Sequence, residues 1–328
     1  MSISMVKALN NGLRKALADD PKVLLMGEDI GRLGGVFRVT DGLQKEFGSL
    51  RVIDTPLGEA GIVGSAIGLA LRGYRPVCEI QFDGFVYPAV NQIISQLAKL
   101  RHRSGGVITL PVVIRIPFGG GIGSIEHHSE SPEVYFAHTA GLKVVTCSNP
   151  QDAYDMIRQA VDDDDPVIFL EPKRHYWTKG EVTDETSTPT PTPTPFDRAR
   201  VLRAGTDATL IAYGPMVPAA LEAAEAAAEE GRSVEVIDLR SLSPLDLDTV
   251  RESVHRTGRA LVAHEASLSH GFGAEVAARI QQEEFHFLEA PVLRITGYDT
   301  PYPPSRLESD WLPGVDRILD ALDHSLSY

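Results

Sequence analysis

The sequence predicts an α/β protein of two domains built on mainly parallel sheets. Short apolar runs of strand length alternate with helical patterns along nearly the whole chain, the signature of parallel strands covered by helices on both faces. The alternation occurs in two series, and a Thr-Pro repeat, TSTPTPTPTPFD at 186–197, separates them. At 328 residues the chain is long enough for each series to bury a core of its own.

The first series opens with MSISMVKALNNGLRKALADD, which reads as an amphipathic helix of the mature protein. VLLM (23–26) is a strand followed by GEDI, and RVID (51–54) is a strand followed by a glycine-rich helix. PVCEIQF (76–82) leads into YPAVNQIISQLAKLRH (87–102), whose apolar spacing of three and four predicts a helix. PVVIRI (111–116) precedes a glycine loop, KVVTC (143–147) a helix from about Asn149-Pro150, and PVIFL (166–170) ends this half. The second series runs ATLIAY (208–213), an alanine-rich helix stopped by Gly231, SVEVIDL, RALVAHE, a helix from about Gly273, PVLRIT and a last helix. Alternating Thr-Pro can neither pair centrally in a sheet nor continue a helix, so it reads as an extended, semi-rigid linker. The division is therefore 1–182, a linker over 183–200, and 201–328.

Charged residues are 23% and hydrophobic ones 43% of the chain, as in ordinary globular proteins. A formal charge of −14 argues against nucleic acid or an anionic membrane as partner, since both reward basic patches. Cys78 and Cys147 are too few for a disulfide framework or a metal-ligand set, and a reducing cytoplasm is the expectation. No stretch reaches the roughly 18 apolar residues of a membrane span.

Glu59, in TPLGEAGIVG, is a carboxylate at the head of an otherwise apolar, glycine-rich run. Two readings stand: a first-turn acid compensating the helix dipole, or a carboxylate held in an apolar cleft to share a proton with a heterocyclic ligand. Gly61, Gly64 and Gly68 share one face of that helix. They predict close contact, either with another helix or with the chain's own sheet. GEDIGRLGGVF (27–37) sits at the carboxyl end of a strand, where open α/β sheets bind ligands. Neither it nor GGGIGS (119–124) forms the dinucleotide fingerprint, and phosphate binding by this chain alone is poorly supported. Within IEHHSESPEVYFAHTAGLKVV (125–145), a general acid/base histidine is a better functional reading than a zinc site, because no i, i+4 pair exists; a polar loop is the plain alternative. DDDDP (162–166) reads as a solvated loop.

Taken together, GEDIGRLGGVFRVTDGL, DTPLGEAGIVGSAIGLAL, EIQFDGFVYPAVNQI, HHSESPEVYFAHTAGLKVV, EPKRHY and GYDTPYPP resemble the beta subunit of the thiamine diphosphate-dependent, decarboxylating component of 2-oxo acid dehydrogenase complexes. The match runs in order over nearly the whole chain, with the Thr-Pro linker as its main departure. The wording of HHSESPEVYFAHTAGLKVV is closer to the branched-chain 2-oxo acid enzymes than to the pyruvate ones. The resemblance implies a transketolase-like architecture, with an aminopyrimidine-binding domain followed by a transketolase C-terminal-type domain.

It also implies that thiamine diphosphate lies between this chain and an alpha subunit in an α2β2 tetramer. The alpha subunit's Gly-Asp-Gly motif would hold Mg²⁺ and the diphosphate, and this sequence contains no Gly-Asp-Gly. Glu59 matches the family glutamate that hydrogen-bonds N1′ of the aminopyrimidine and so favours deprotonation of the thiazolium. Glu28, Leu57, Gln81 and Phe85 match positions lining the cofactor pocket. His128 matches the histidine near the reacting centre, which orients substrate or assists acyl transfer to the lipoyl group of the acyltransferase component. K⁺ is bound through carbonyls in relatives, and Asp163 and Asp165 are the candidates here. The second domain is expected to contact the acyltransferase core. A pyruvate or acetoin dehydrogenase beta subunit is the alternative within this chemistry, and a non-catalytic scaffold subunit the alternative outside it.

Overall fold

A computed structural model describes residues 2–184 and 192–328. The strands in chain order are β1 Ser2–Ser4, β2 Val23–Gly27, β3 Val52–Asp54, β4 Arg75–Glu79, β5 Val113–Phe118, β6 Lys143–Thr146 and β7 Val167–Pro172. They continue as β8 Lys179–Glu181, β9 Arg200–Arg203, β10 Ala208–Ala212, β11 Val234–Asp238, β12 Ser241–Ser243, β13 Ala260–Ser267 and β14 Leu293–Gly297. Seven form one sheet in the order β12-β6-β7-β5-β4-β2-β3, and five form another in the order β14-β13-β10-β11-β9. All pairings within these two sheets are parallel except β12 with β6 and β9 with β11. β2, β5 and β7 are buried at every residue, which is why they read as apolar runs broken only by Arg115 and Glu171, which pair with each other.

Helices cover both faces. Met5–Asp19 is capped by Ser4 and lays Leu9, Leu13 and Leu17 into one core. Pro150–Asp162 is capped by Asn149 with proline in its first turn, where the missing N–H costs nothing. The helix Glu59–Leu71 turns Ile62, Val63, Ala66 and Ala70 inward.

Four features depart from the sequence reading. The helix expected over 87–102 is a 3₁₀ turn Asp83–Ala89, a π-helical stretch Asn91–Leu97 and an α-helix Ala98–Arg103. Pro88 has no N–H to give to an α-helical bond, so the backbone finds other pairings around it. Second, β12 lies at 241–243, inside the expected second domain, yet it pairs with β6 of the first sheet. The two halves also share one hydrophobic cluster, in which Ile211, Tyr213, Leu242 and Phe272 join Phe118 and Phe136.

The third departure concerns the linker. Residues 185–191 of it lie outside the described residues, and the part that follows is pinned to the body. Gln159 brackets it, donating from Nε2 to Thr194 O (3.2 Å) and accepting from Phe196 N (2.8 Å). The fully buried Arg240 donates to Pro195 O at 2.7 Å. The fourth is the glycine face of Glu59–Leu71, which was expected to be buried: Gly61, Ser65 and Gly68 are exposed. A Cβ at Gly58, Gly61 or Gly68 would meet nothing within 4 Å, so packing on the chain's own sheet does not explain these glycines.

No helix among the described residues is long and apolar enough to cross a membrane.

Candidate active site

The first sheet reverses its winding between β2 and β4, and ligands of open α/β sheets bind in the crevice at such a switch point, beyond the carboxyl ends of the strands. Glu28 follows β2 directly. Gly58 and Glu59 follow β3 on one side of it, and Gln81 and Phe85 follow β4 on the other. Tertiary bonds knit the three segments together. Glu28 Oε1 accepts from Gly58 N at 3.1 Å, and Gln81 Nε2 donates to Glu28 O at 3.4 Å. Glu28 is 8% exposed, and burial pushes its carboxyl up from the usual range, aided by the charges of Glu59 and Asp29 and opposed by the Gly58 N–H.

Glu59 opens its helix half-exposed, and among the described residues its carboxylate has no hydrogen-bond or ion-pair partner. Within this chain it fits the first of its two readings, an acid in the first turn of a helix, and no apolar cleft encloses it. Leu57, beside it, is 84% exposed. An unpaired carboxylate and a bare leucine therefore stand side by side at the strand-end crevice.

His128 lies in a 3₁₀ turn, Glu126–His128, after β5. Phe82 and Phe85 hold its ring edge to face, with centroids at 4.1 and 5.2 Å. Its Nδ1 is buried and has no partner. Burial lowers its proton affinity and the neighbouring His127 lowers it further. His127 points more to solvent and pairs with Glu126 at 3.6 Å. Glu28, Leu57, Glu59, Gln81, Phe85 and His128 therefore all lie at the carboxyl edge of β2–β5.

Asp163 and Asp165 do not join them. Lys143 Nζ holds both oxygens of Asp163, at 2.8 and 2.6 Å, and Arg101 pairs with Asp165. The Asp163 carbonyl accepts from Arg75 Nη1 at 3.1 Å. The chain's own cations thus hold both carboxylates and the Asp163 carbonyl, away from the strand-end crevice. Among the described residues no cluster of three or more His, Cys, Asp or Glu could hold a metal ion.

The glycine loop 119–124 has spent its glycine donors, that of Gly119 on Glu130 O and the other three on the second half of the chain. Gly120 N donates to Glu265 Oε2 at 2.9 Å, and Gly121 and Gly123 donate to Glu308 at 3.0–3.2 Å. It joins the two halves, and none of its glycine amides is left to cradle a phosphate.

Sequence reasoning missed Asp83 and Lys173, a fully buried ion pair behind the Phe82–Phe85 segment. QFDGF carries the signal: an acid between two phenylalanines just past a strand needs a partner as much as Glu59 does. A second buried group, Arg115 between Glu79 and Glu171, underlies the same strands, with Tyr176 donating to Glu171 Oε2 at 2.6 Å.

The comparisons with known proteins agree along the whole chain. Residues 1–178 match the transketolase pyrimidine-binding domain, and 197–318 match the transketolase C-terminal domain. The pyruvate dehydrogenase E1 component subunit beta of Leifsonia xyli is 61% identical over 327 residues, covering 100% of this chain and 96% of that one. The 3-methyl-2-oxobutanoate dehydrogenase subunit beta of Mycobacterium tuberculosis is 55% identical over 326 residues, covering 99% and 92%. A solved split-gene transketolase, an inactive beta4 tetramer, superposes with a TM-score of 0.80 at 22% identity over 100% of this chain and 99% of that one, a likeness of fold alone. With both domain models matched and relatives this similar at full length, the chain belongs to the family of 2-oxo acid dehydrogenase E1 beta subunits, built on the transketolase fold.

Proposed function

We propose that this chain is the beta half of a thiamine diphosphate-dependent dehydrogenase that decarboxylates branched-chain 2-oxo acids. It works only with an alpha subunit, in an α2β2 tetramer, and passes the acyl group to the lipoyl group of an acyltransferase component. The observation that carries the reading is the half-built crevice: Glu59 unpartnered and Leu57 bare at the mouth of the sheet, beside a buried Glu28 and the phenylalanine-clasped His128.

The residues present fit the ring end of the cofactor and not its diphosphate end. Glu59 has a free carboxylate for a ring nitrogen, and Leu57 and Phe85 offer apolar contact to the ring. The glycine-loop amides are taken and no metal cluster exists among the described residues, so the diphosphate and Mg²⁺ fall to the alpha subunit. When bound, thiamine diphosphate supplies an electron sink for the carbanion left by loss of CO2. Glu28 and Gln81 hold the Gly58–Glu59 turn in place, so the Glu59 carboxyl can keep and return a proton at the aminopyrimidine. His128, gripped by two phenylalanines, can orient the 2-oxo acid or, as its imidazolium, protonate the lipoyl sulfur released when the disulfide opens. The alpha subunit would complete the opposite wall and exclude water. Two buried free thiols, Cys78 and Cys147, suit the cytoplasm.

The branched-chain assignment rests on the wording of residues 127–145. Pyruvate is the second reading, favoured by the name of the 61% identical relative. Decarboxylation measured with an artificial electron acceptor, cofactor and Mg²⁺, for the chain alone and with its alpha subunit, tests both. Activity in the mixture only, higher on 3-methyl-2-oxobutanoate than on pyruvate, is the expected result. The reverse preference moves the substrate, activity of the chain alone overturns the half-site, and a silent assembled mixture favours a scaffold role.

A further inference from the structure

Behind the crevice lies a charged pair that the proposed chemistry does not use. Asp83 and Lys173 are both fully buried, and Lys173 Nζ pairs with Asp83 Oδ1. The other carboxylate oxygen, Oδ2, accepts from Glu130 N at 2.8 Å. Glu130 O in turn accepts from Gly119 N at 2.9 Å, so this residue's peptide groups are held at both ends, two positions after His128. Lys173 Nζ also stands 5.7 Å from the Phe82 ring centroid and 3.4 Å from Pro117 O. Asp83 lies between the two phenylalanines that clasp His128. At Gly84 the two segments touch backbone to backbone: a Cβ there would fall 2.4 Å from His127 O.

A buried ion pair seldom stabilises more than an apolar pair of the same shape would. Its use here is geometric, since one carboxylate ties the Phe82–Phe85 segment, the His128 loop and the start of the Lys173–His175 turn to a common point. We infer that Asp83 and Lys173 are positioning residues for His128, fixing its loop and setting the electrostatic balance at its imidazole. This deepens the proposed function and rests on that reading for the role of His128. The groups that act on the His128 charge are His127 and Lys173, which disfavour it, and Asp83 and Glu126, which favour it; Phe82 and Phe85 bury the ring.

The test reads His128 directly. Carbethoxylation of the full-length chain is followed by mass spectrometry from pH 5 to 8, with His324 as an internal control. Removing Lys173 with K173M should raise the midpoint at His128, and removing the Asp83 charge with D83N, which keeps an acceptor for Glu130 N, should lower it. Each shift should be roughly half a unit to one unit, with His324 unmoved. Opposite signs are the decisive outcome: a merely structural role would expose the ring in both variants and move both midpoints up. Equal shifts of one sign, or none, overturn the inference.

Should the single variants fail to fold, D83A/K173M leaves no charge unpaired. It should exchange the Glu130 amide faster and carbethoxylate His128 several-fold faster at pH 7; unchanged rates overturn the inference. In the assembled enzyme K173M should lower kcat and leave KM for the 2-oxo acid unchanged. If the wild-type mixture is inactive on every 2-oxo acid, the proposed function fails while the midpoint measurement still decides this one.

Discussion

Replacing the exposed glycines of helix Glu59–Leu71 by alanine separates what this chain needs from what its assembly needs. In G61A/G68A each new methyl group meets nothing within 4 Å. Alanine exceeds glycine in a helix interior by about 1 kcal/mol, less near the ends, and Gly61 is in the first turn. The two changes together should stabilise the isolated chain by about 1.5 kcal/mol, raising Tm by roughly 2 °C in a scanning fluorimetry trace. The same methyl groups should obstruct a helix that packs against this face, so association with the alpha subunit, followed by analytical ultracentrifugation, should weaken at least tenfold. A lower Tm for the chain alone would refute the open-face geometry. Undiminished association would refute the placement of a partner helix there.

Glu59→Gln should lower decarboxylation by the reconstituted enzyme at least 100-fold, the usual reach of a lost general acid–base. It should shift the chain's stability by less than about 0.5 kcal/mol in urea unfolding, because the carboxylate has no partner to lose. Glu133 is fully buried, and desolvation pushes its carboxyl from 4.5 up to about 7, with Tyr213 donating to it at 2.6 Å. A raised folded-state value means stability present at pH 4.5 and lost as pH rises to about 7, by about 3 kcal/mol at most. Glu133→Gln should flatten that slope between pH 5 and 8, leaving the part due to Asp238, which is raised over the same window. Arg115→Met strands Glu79 and Glu171 inside the sheet and should cost about 3–5 kcal/mol in urea unfolding.

Most of the framework was legible because its signals are local. Strands such as VLLM and PVIFL announce themselves by unbroken apolarity, and the caps Ser4 and Asn149 by their side chains. The candidate site was legible because strand ends are where such sheets bind, and because Glu59 was out of place among apolar neighbours. What escaped was tertiary. β12 is three residues, Ser-Leu-Ser, with no strand signal of their own, and it forms because β6 offers an open edge. The partners of Asp83, Arg115 and Asp163 lie 90, 36 or 56, and 20 positions away, a span no spacing rule covers. Exposure of the glycine face also needed three dimensions, since an outward stripe and an inward one have the same sequence period.

The excursion of β12 into the first sheet bears on how this chain can be cut or rebuilt. A protease acting between 185 and 191 would sever the backbone without releasing either half, since residues 241–243 stay laced to β6 and Arg240 stays hooked to Pro195. Nicked protein should run as two bands under denaturing conditions and as one species in its native state. Expressing 1–182 by itself would strip β6 of that neighbour and present a bare strand edge to other molecules. Any attempt to swap the C-terminal half between relatives must therefore carry a piece of the N-terminal sheet along with it.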